Sequence, residues 1–249
     1  MDMAMQLHLA AQYLATTAIS FLDEKEDDSH TNLAFSNTEK SLETWPLDQK
    51  GTKLCLDYPS FSLKWVSGEP KTFALLGKSH EEVVNWLKEV SAHLDSSKTY
   101  EYKLHYDLPY QIGTDETFQH NNPEKVEELV QLRIMGNTVL AEVLKENQLS
   151  SDIRIWPHHF DTGAFSSLDE DSETAVGMGL TIPDSLMDDY YFYISGYQGH
   201  TSLDTSNYKP LTKGQWLNDG FKGAVLPVSD CTKEDAVTFF NQAIQAYKL

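Results

Sequence analysis

The chain has 249 residues, of which 40% are hydrophobic and 11% aromatic, and this composition excludes a disordered protein. Lys and Arg together number 19 against 38 Asp and Glu, which gives a formal net charge of −19. This charge repels phosphate backbones and anionic membrane surfaces, so neither nucleic acid nor a membrane is expected as a partner. An acidic surface also favours solubility, and the charge therefore assigns no function by itself.

The chain has two cysteines, Cys55 and Cys231, which do not form the close pairs of metal ribbons or redox motifs. A reducing compartment, and hence a cytoplasmic location, is the expectation. The first 28 residues contain an apolar stretch, but polar residues interrupt it and no lysine or arginine precedes it. This pattern predicts an amphipathic helix rather than a signal peptide or a membrane span.

The first half of the chain predicts a helix, several strands and a second helix. The first helix covers residues 3–22, with Leu7, Leu14, Ala18 and Phe21 on its core-facing side. Strands are predicted at 32–35, at 53–66 with an interruption at Pro59, and at 72–76. Ser79 and Glu82 form the pattern of a capping box and begin a helix that continues to about residue 94.

The middle of the chain predicts a strand over 99–106, a polar and aromatic loop over 108–122 and the longest helix, from Pro123 to about Asn147. Gly136 lies in the centre of that helix. Because glycine costs about 1 kcal/mol relative to alanine in a helix, we interpret it as a point where another element approaches closely.

The last part predicts a strand with Arg154 and Trp156, strands at 174–182, 190–197 and 223–230, and a helix that begins at Thr232. The segments 73–90 and 224–244 share an apolar strand, a turn and a capped helix. This order predicts an internal duplication with two helix–strands–helix halves, 1–97 and 123–249, joined by residues 98–122. Whether the halves form one domain stays open. The fold class is α+β, with amphipathic helices on a mixed or mainly antiparallel sheet.

The segment IRIWPHHFD, residues 153–161, concentrates reactive side chains. If it is extended, Arg154, Trp156 and His158 share one face, while His159 and Asp161 share the other. Arg154 and Trp156 would hold an anionic or planar ligand. Equally, in a protein this acidic, Arg154 would pair with a structural carboxylate.

His159 and Asp161 are candidate metal ligands, with His105 or His200 completing the site, or a general base with its orienting carboxylate. The alternative is a His–Asp pair that fixes a turn by hydrogen bonds. The sequence contains no GxSxG motif, Walker loop or GxGxxG motif, so the common hydrolase, nucleotide-binding and dehydrogenase classes have no support.

The segment YYFYISGY, residues 190–197, is rich in aromatic residues. In a strand, Tyr190, Phe192 and Ile194 alternate with Tyr191, Tyr193 and Ser195, which predicts one face in the core and one available to a ligand. Trp216, in a glycine-containing loop, would close over that ligand. A half-exposed sheet surface is the alternative interpretation.

Several blocks resemble a family of bacterial proteins of no assigned function. They are the early helix, Phe160-Asp161 followed by Phe165, the aromatic strand YYFY, and the VLP at 225–227 before the last helix. The adjacent histidines at 158 and 159 are not part of the shared pattern. Since that family has no established activity, the resemblance implies architecture alone.

Three functional hypotheses follow. The leading one is a protein that binds a small polar or aromatic ligand through Arg154, Trp156, His158, Tyr191, Tyr193 and Trp216. The second is a metal-assisted hydrolase or lyase that uses the cluster of His158, His159 and Asp161. The third is a protein-interaction module whose interface covers Tyr191 and Tyr193. The sequence predicts no particular cofactor, ligand or oligomeric state.

Overall fold

The computed structural model describes residues 2–94, 97–113, 116–119, 122–168 and 173–248, and it has an α+β fold with two mainly antiparallel sheets, as predicted. The chain divides into two compact units. Unit 1 comprises Met1–Gln131 and Ile155–His158, and unit 2 comprises Leu132–Arg154 and His159–Leu249. Residues 98–131 and 155–158 therefore belong to unit 1, whereas the predicted first half ends at residue 97. Among the described residues, no helix has the length and apolar character that a membrane span requires.

The described residues of unit 1 include two complete α-helices and a five-stranded antiparallel sheet in which the strands pair in chain order. Its elements are α1 (Met3–Phe21), β1 (Ala34–Ser36), β2 (Ser41–Glu43), β3 (Lys53–Asp57), β4 (Ser62–Val66), β5 (Lys71–Ala74) and α2 (His80–Ser91). The interruption at Pro59 is confirmed, because β3 and β4 form a hairpin on either side of it. The capping box at Ser79 and Glu82 is also confirmed.

The prediction that α1 is amphipathic is wrong, because almost every side of this helix is buried. Its polar residues have specific partners. Thr16 Oγ1 lies 3.0 Å from the hydroxyl of Tyr100, the hydroxyl of Tyr106 donates to Gln12 Oε1 at 2.7 Å, and His8 Nδ1 lies 2.5 Å from the hydroxyl of Tyr110. Residues 8, 12 and 16 are spaced by one helical turn and lie on one face, so this face is a buried polar stripe.

The prediction of a strand over 99–106 is also wrong. The side chains from 101 to 110 alternate between exposed and half-buried, but the backbone joins no described strand ladder. Tyr100, Tyr106 and Tyr110 instead pair with the polar stripe of α1. The two-residue period in the sequence therefore reports an extended segment packed on a helix, which side-chain alternation alone does not distinguish from a strand.

Unit 2 holds α3 and α4 and most of the second sheet, whose strand order is β11-β12-β9-β8-β7-β6, with β10 paired to β9. The strands are β6 (Arg154–Trp156), β7 (Asp161–Ser167), β8 (Thr174–Thr181), β9 (Tyr191–Gln198), β10 (Thr201–Ser202), β11 (Gln215–Leu217) and β12 (Gly223–Pro227). The helices are α3 (Pro123–Glu146), which begins in unit 1, and α4 (Lys233–Tyr247). The predicted start of the last helix is confirmed, because Thr232 and Asp235 form a capping box.

Side chains of α3 and α4 form one hydrophobic core with the inner face of this sheet. Phe192 and Ile194 of β9 belong to it, and Phe192 contacts Phe240 of α4 edge-to-face. The opposite face of the sheet, here called the outer face, presents Tyr191, Tyr193 and Ser195 by the alternation of the strand. Both units contain helices and antiparallel strands, and the internal duplication stays a prediction.

The interpretation of Gly136 as a point of close approach is confirmed. A Cβ atom at this position would lie 3.3 Å from Cβ of Thr162 and 3.4 Å from Cβ of Leu180, so α3 touches β7 and β8 here. No larger residue fits between the helix and the sheet without a shift of one of them.

We therefore expect Gly136→Leu to lower the free energy of unfolding by about 1–3 kcal/mol, despite the better helix propensity of leucine. Thr138→Leu is the matched control, because Thr138 is exposed on the same helix and its replacement should change stability by less than about 0.5 kcal/mol. Urea unfolding of both variants measures the difference. Equal stability of the two would contradict the close packing of α3 on the sheet.

Candidate functional site

The segment IRIWPHHFD is not one continuous strand. β6 ends at Trp156, residues 157–160 form a turn, and β7 begins at Asp161. The extended backbone on which the predicted alternation of faces depends therefore ends at Trp156, before His158. Phe160, the last residue of the turn, has a φ of +56° in the left-handed region. A non-glycine residue with this backbone persists only where its surroundings fix it.

Arg133 fixes this turn from α3. Its guanidinium donates to the carbonyl of Phe160 at 2.7 Å and to Oγ1 of Thr162 at 2.9 Å, and it lies 4.3 Å from the centre of the Phe160 ring. Arg133 is buried, and it binds the backbone carbonyl of the residue before Asp161 and the side-chain hydroxyl of the residue after it. Arg133 is thus a positioning residue for the aspartate.

Asp161 is a buried carboxylate with an incomplete set of partners. The residue is 3% exposed, and the hydroxyl of Tyr193 donates a hydrogen bond to its Oδ2. Its Oδ1 is buried and has no hydrogen-bond partner in the structure. Because buried polar atoms are nearly always paired, an unpaired carboxylate oxygen needs a specific explanation.

Tyr193 reaches Asp161 because the intervening strand carries glycine. Gly179 of β8 pairs with Tyr193 on one side and with Gly163 of β7 on the other. A Cβ atom on Gly179 would lie 2.8 Å from Cε1 and from the hydroxyl of Tyr193. The tyrosine ring therefore lies across β8 where that strand has no side chain, and its hydroxyl ends beside Asp161 on β7.

A cavity of about 540 Å³ lies against this part of unit 2. We call it the Asp161 cavity. It is lined by residues from β7 to β9 and from the loops that follow β8 and precede β12: His159, Asp161, Thr181, Asp184, Ser185, Leu186, Tyr191, Tyr193, Ser195, Tyr197, Asp219, Gly220 and Phe221. Three aspartates and three tyrosines are in this set, and no lysine or arginine among the described residues lines the cavity.

One side of the cavity is built around Asp184. The hydroxyl of Tyr191 donates to Asp184 Oδ2 at 2.8 Å, and the backbone N–H of Leu186 donates to Oδ1 at 2.8 Å. Asp184 thus accepts one hydrogen bond from within its own loop and one from Tyr191, which holds the Tyr191 side chain at the cavity wall. Unlike Asp161, it has a partner for each oxygen.

The electrostatics of the cavity differ from those of the surface. Burial raises the pKa of the Asp161 carboxyl above its usual range, and this effect outweighs the hydrogen bond from Tyr193 and the charges of His159 and Arg133, which lower it. Burial and the neighbouring Asp161 also raise the pKa of Tyr193 well above its usual value. Tyr193 therefore keeps its proton and remains a donor.

The structure brings together four of the predicted site residues, since His159, Asp161, Tyr191 and Tyr193 all line the Asp161 cavity. Four others do not line it. Trp156 and His158 belong to unit 1, where the centres of their rings are 6.1 Å apart. The ring of His158 also packs against that of Tyr106, with 5.6 Å between the ring centres. Arg154 is the half-buried first residue of β6.

The prediction that Trp216 lies in a loop is wrong, and its predicted contact with a ligand stays a prediction. Trp216 is in β11, its ring packs against Tyr208 and Tyr247, and its indole N–H donates to the carbonyl of Lys209 at 2.9 Å. These contacts hold it on the α4 side of the sheet.

The predicted third ligand of a metal site is not found among the residues that the structure describes. No group of three or more His, Cys, Asp or Glu side chains in that part of the chain is arranged to hold a metal ion. His105 lies 3.4 Å from Asp28 in unit 1, and His200 is in the turn between β9 and β10.

Sequence reasoning missed Arg133, Gly179, Asp184 and Asp219. Arg133 had a signal, because a charged residue within an apolar helical face needs a buried partner. Gly179 had one as well, because a glycine in a strand indicates close approach of another group. No sequence pattern predicts that Asp184 and Asp219 line the cavity, because their positions depend on how loops that are distant in the sequence pack together.

A scan against models of protein families gives no match to this chain, and no curated protein and no solved structure is significantly similar to it. The resemblance to a bacterial family therefore stays a prediction.

The position of Tyr193 over Gly179 predicts a large effect of a single methyl group. In Gly179→Ala the new Cβ would lie 2.6 Å from the carbonyl oxygen of Thr162 as well as against Tyr193, so we expect a loss of about 1–3 kcal/mol in the free energy of unfolding. Gly177→Ala is the control, because its Cβ would be 3.5 Å from the nearest atoms. Comparable urea midpoints for the two variants would refute this arrangement.

The raised pKa of Asp161 predicts the sign of a pH effect. A carboxyl whose folded-state pKa exceeds its unfolded value lowers stability as the pH rises through that interval. Asp161→Asn removes this loss, so near pH 8 the variant should be more stable than the wild type by about 1–3 kcal/mol, the cost of a buried unpaired group. The difference should shrink as the pH falls through about 4, the usual pKa of an aspartate, because Asp161 then becomes protonated in the unfolded state as well.

Asp57→Asn is the matched control with the opposite sign. Burial opposes ionisation of Asp57, but hydrogen bonds from Lys64 and Ser60 outweigh it and lower the pKa of this carboxyl. The Asp57 contribution is therefore present at neutral pH and is lost as the pH falls. Urea unfolding of both variants between about pH 4 and pH 8 measures the two trends, and parallel trends would contradict the assignment for Asp161.

Proposed function

We propose that the protein binds a small polar ligand in the Asp161 cavity of unit 2. The observation that carries this proposal is the buried Asp161 Oδ1 without a partner, in the wall of a cavity. A ligand that donates a hydrogen bond or carries a positive charge would compensate the carboxylate. Such a compensation is worth about 1.5–3 kcal/mol for a hydrogen bond to a charged group.

The form of the cavity supports the proposal. Its volume of about 540 Å³ lies within the range of about 300–1,000 Å³ that is typical of small-molecule sites. Aromatic rings with a few polar groups among them are the usual lining of such sites, and Tyr191, Tyr193, Tyr197 and Phe221 supply the rings. Tyr191 and Asp184 are fixed by their mutual hydrogen bond, so part of the wall is formed before a ligand enters.

We also propose a reducing, cytoplasmic location. Cys55 and Cys231 are free thiols, and burial raises the pKa of Cys55 to about 12 and that of Cys231 to about 11. Thiols with such pKa values are poor nucleophiles at neutral pH, which suits structural residues rather than reactive ones.

The test of ligand binding is a screen of the full chain by ligand-observed NMR, with a library that contains equal numbers of amines, alcohols, amides and carboxylates. We expect compounds that bind the wild type to lose at least about tenfold in affinity with Asp161→Asn and Asp161→Ala, the loss of one charge-assisted hydrogen bond. Asp57→Asn, which alters a buried aspartate in unit 1, should keep their affinity within about twofold.

Two results would overturn the proposal. One is a screen in which no compound binds the wild type. The other is a set of hits whose affinities are the same in the wild type and in both variants at position 161, because their site is then elsewhere.

A further inference from the structure

We infer that the ligand of the Asp161 cavity is an organic cation, an alkylammonium or quaternary ammonium compound, which lies between the carboxylates and the tyrosine rings. This inference rests on the proposed function and assigns its ligand class. It is carried by the distribution of charge along the cavity wall, a different observation from the unpaired oxygen of Asp161.

The charged groups of the wall favour a cation. Asp161, Asp184 and Asp219 line the cavity, and His159 is the one basic side chain among the described residues that line it. Arg133 is nearby, but its guanidinium bonds to Phe160 and Thr162 and does not line the cavity. An anionic ligand would meet three carboxylates with one imidazole to offset them, and this repulsion excludes it as the preferred ligand.

The aromatic lining favours an organic cation over a metal ion. Tyr191, Tyr193 and Tyr197 line the same cavity as the carboxylates, and aromatic rings attract ammonium groups by their electrostatic quadrupole. A metal ion would instead require several ligating side chains at one point, and no such group exists among the described residues. The volume of about 540 Å³ also suits an organic molecule rather than a single ion.

A cation would change the ionisation of Asp161. A positive charge favours the ionised carboxylate, so at a pH where the free protein holds this carboxyl protonated, binding must release a proton. The affinity should therefore rise with pH and become constant once Asp161 is ionised in the free protein. Among the described residues, the other ionisable or charged groups of the cavity and beside Asp161 are His159, Tyr191, Tyr193, Tyr197, Asp184, Asp219 and the buried Arg133.

The experiment uses pairs of probes that have the same shape and differ in charge. Choline is compared with 3,3-dimethylbutan-1-ol, and phenethylamine with 2-phenylethanol, by isothermal titration calorimetry of the full chain. We expect each cation to bind at least about tenfold more tightly than its neutral partner near pH 8, and expect this preference to shrink as the salt concentration rises from about 0.05 M to 0.5 M.

Three variants assign the effect to its source. Asp161→Asn should reduce the preference for the cation to less than about threefold and abolish the rise of affinity with pH. His159→Gln should keep the pH dependence, which separates Asp161 from the imidazole that also faces the cavity. Asp57→Asn should behave as the wild type. Proton release, measured in two buffers of different ionisation enthalpy, should be present in the wild type and absent from Asp161→Asn.

The outcomes separate this inference from the proposed function. If the neutral members bind as tightly as the cations, or if neither member binds while other compounds of the library do, the charge assignment is overturned and the binding site stands. If no compound of the library binds, both fall. If His159→Gln alone abolishes the pH dependence, Asp161 is not the group that recognises the charge, and the inference is overturned.

Discussion

The desolvation of the Asp161 carboxylate is the constraint that organises the outer face of the second sheet. A buried carboxylate is tolerated where donors or positive charges compensate it, and here Tyr193 supplies one donor while Arg133 holds the backbone around it. Tyr193 can do so because Gly179 leaves the strand between them without a side chain. The aspartate, the tyrosine and the glycine therefore depend on one another, and a change in any of them exposes the cost of burying the charge.

The buried polar side chains of α1 in unit 1 differ from Asp161 in their hydrogen bonding. His8, Gln12 and Thr16 of α1 are buried, yet each has a tyrosine hydroxyl from the extended segment within hydrogen-bond distance. A buried network in which each group is paired stabilises one arrangement of helix and chain. The contrast with Asp161 is informative, because these three polar side chains of α1 have partners, whereas Asp161 has an unpaired oxygen and lines a cavity in unit 2. Polar burial alone does not indicate a site; Asp161 indicates one because its unpaired oxygen belongs to a residue that also lines a cavity.

Local signals in the sequence predicted local structure well. The capping boxes at Ser79 and Thr232, the break at Pro59 and the contact at Gly136 each depend on a few neighbouring residues, and the structure contains all four. The errors arose where two structures share one pattern. The alternation over 99–106 fits a strand and also an extended segment on a helix, and the polar positions of α1 fit a solvated face and also a buried stripe. In each case, the two structures are distinguished only by the segment that packs against the residues in question, and this segment is distant in the sequence.

The site shows the same division between local and distant information. The alternation in YYFY places Tyr191 and Tyr193 opposite Phe192, and this follows from the strand period alone. The link from Tyr193 to Asp161 crosses 32 residues of sequence and two strand pairings.

The segment GMG at 177–179 nevertheless indicates this link, because its two glycines share a face of β8 on which a side chain would normally stabilise the strand. Glycines repeated at this interval require a large group from a neighbouring strand to cover them, and the nearest aromatic strand in the sequence supplies it. Two consecutive strands can therefore predict a tyrosine that lies across a sheet, if the first alternates glycine with buried residues and the second alternates tyrosine with buried residues. A polar group that the hydroxyl of this tyrosine can reach is then a candidate for part of a site.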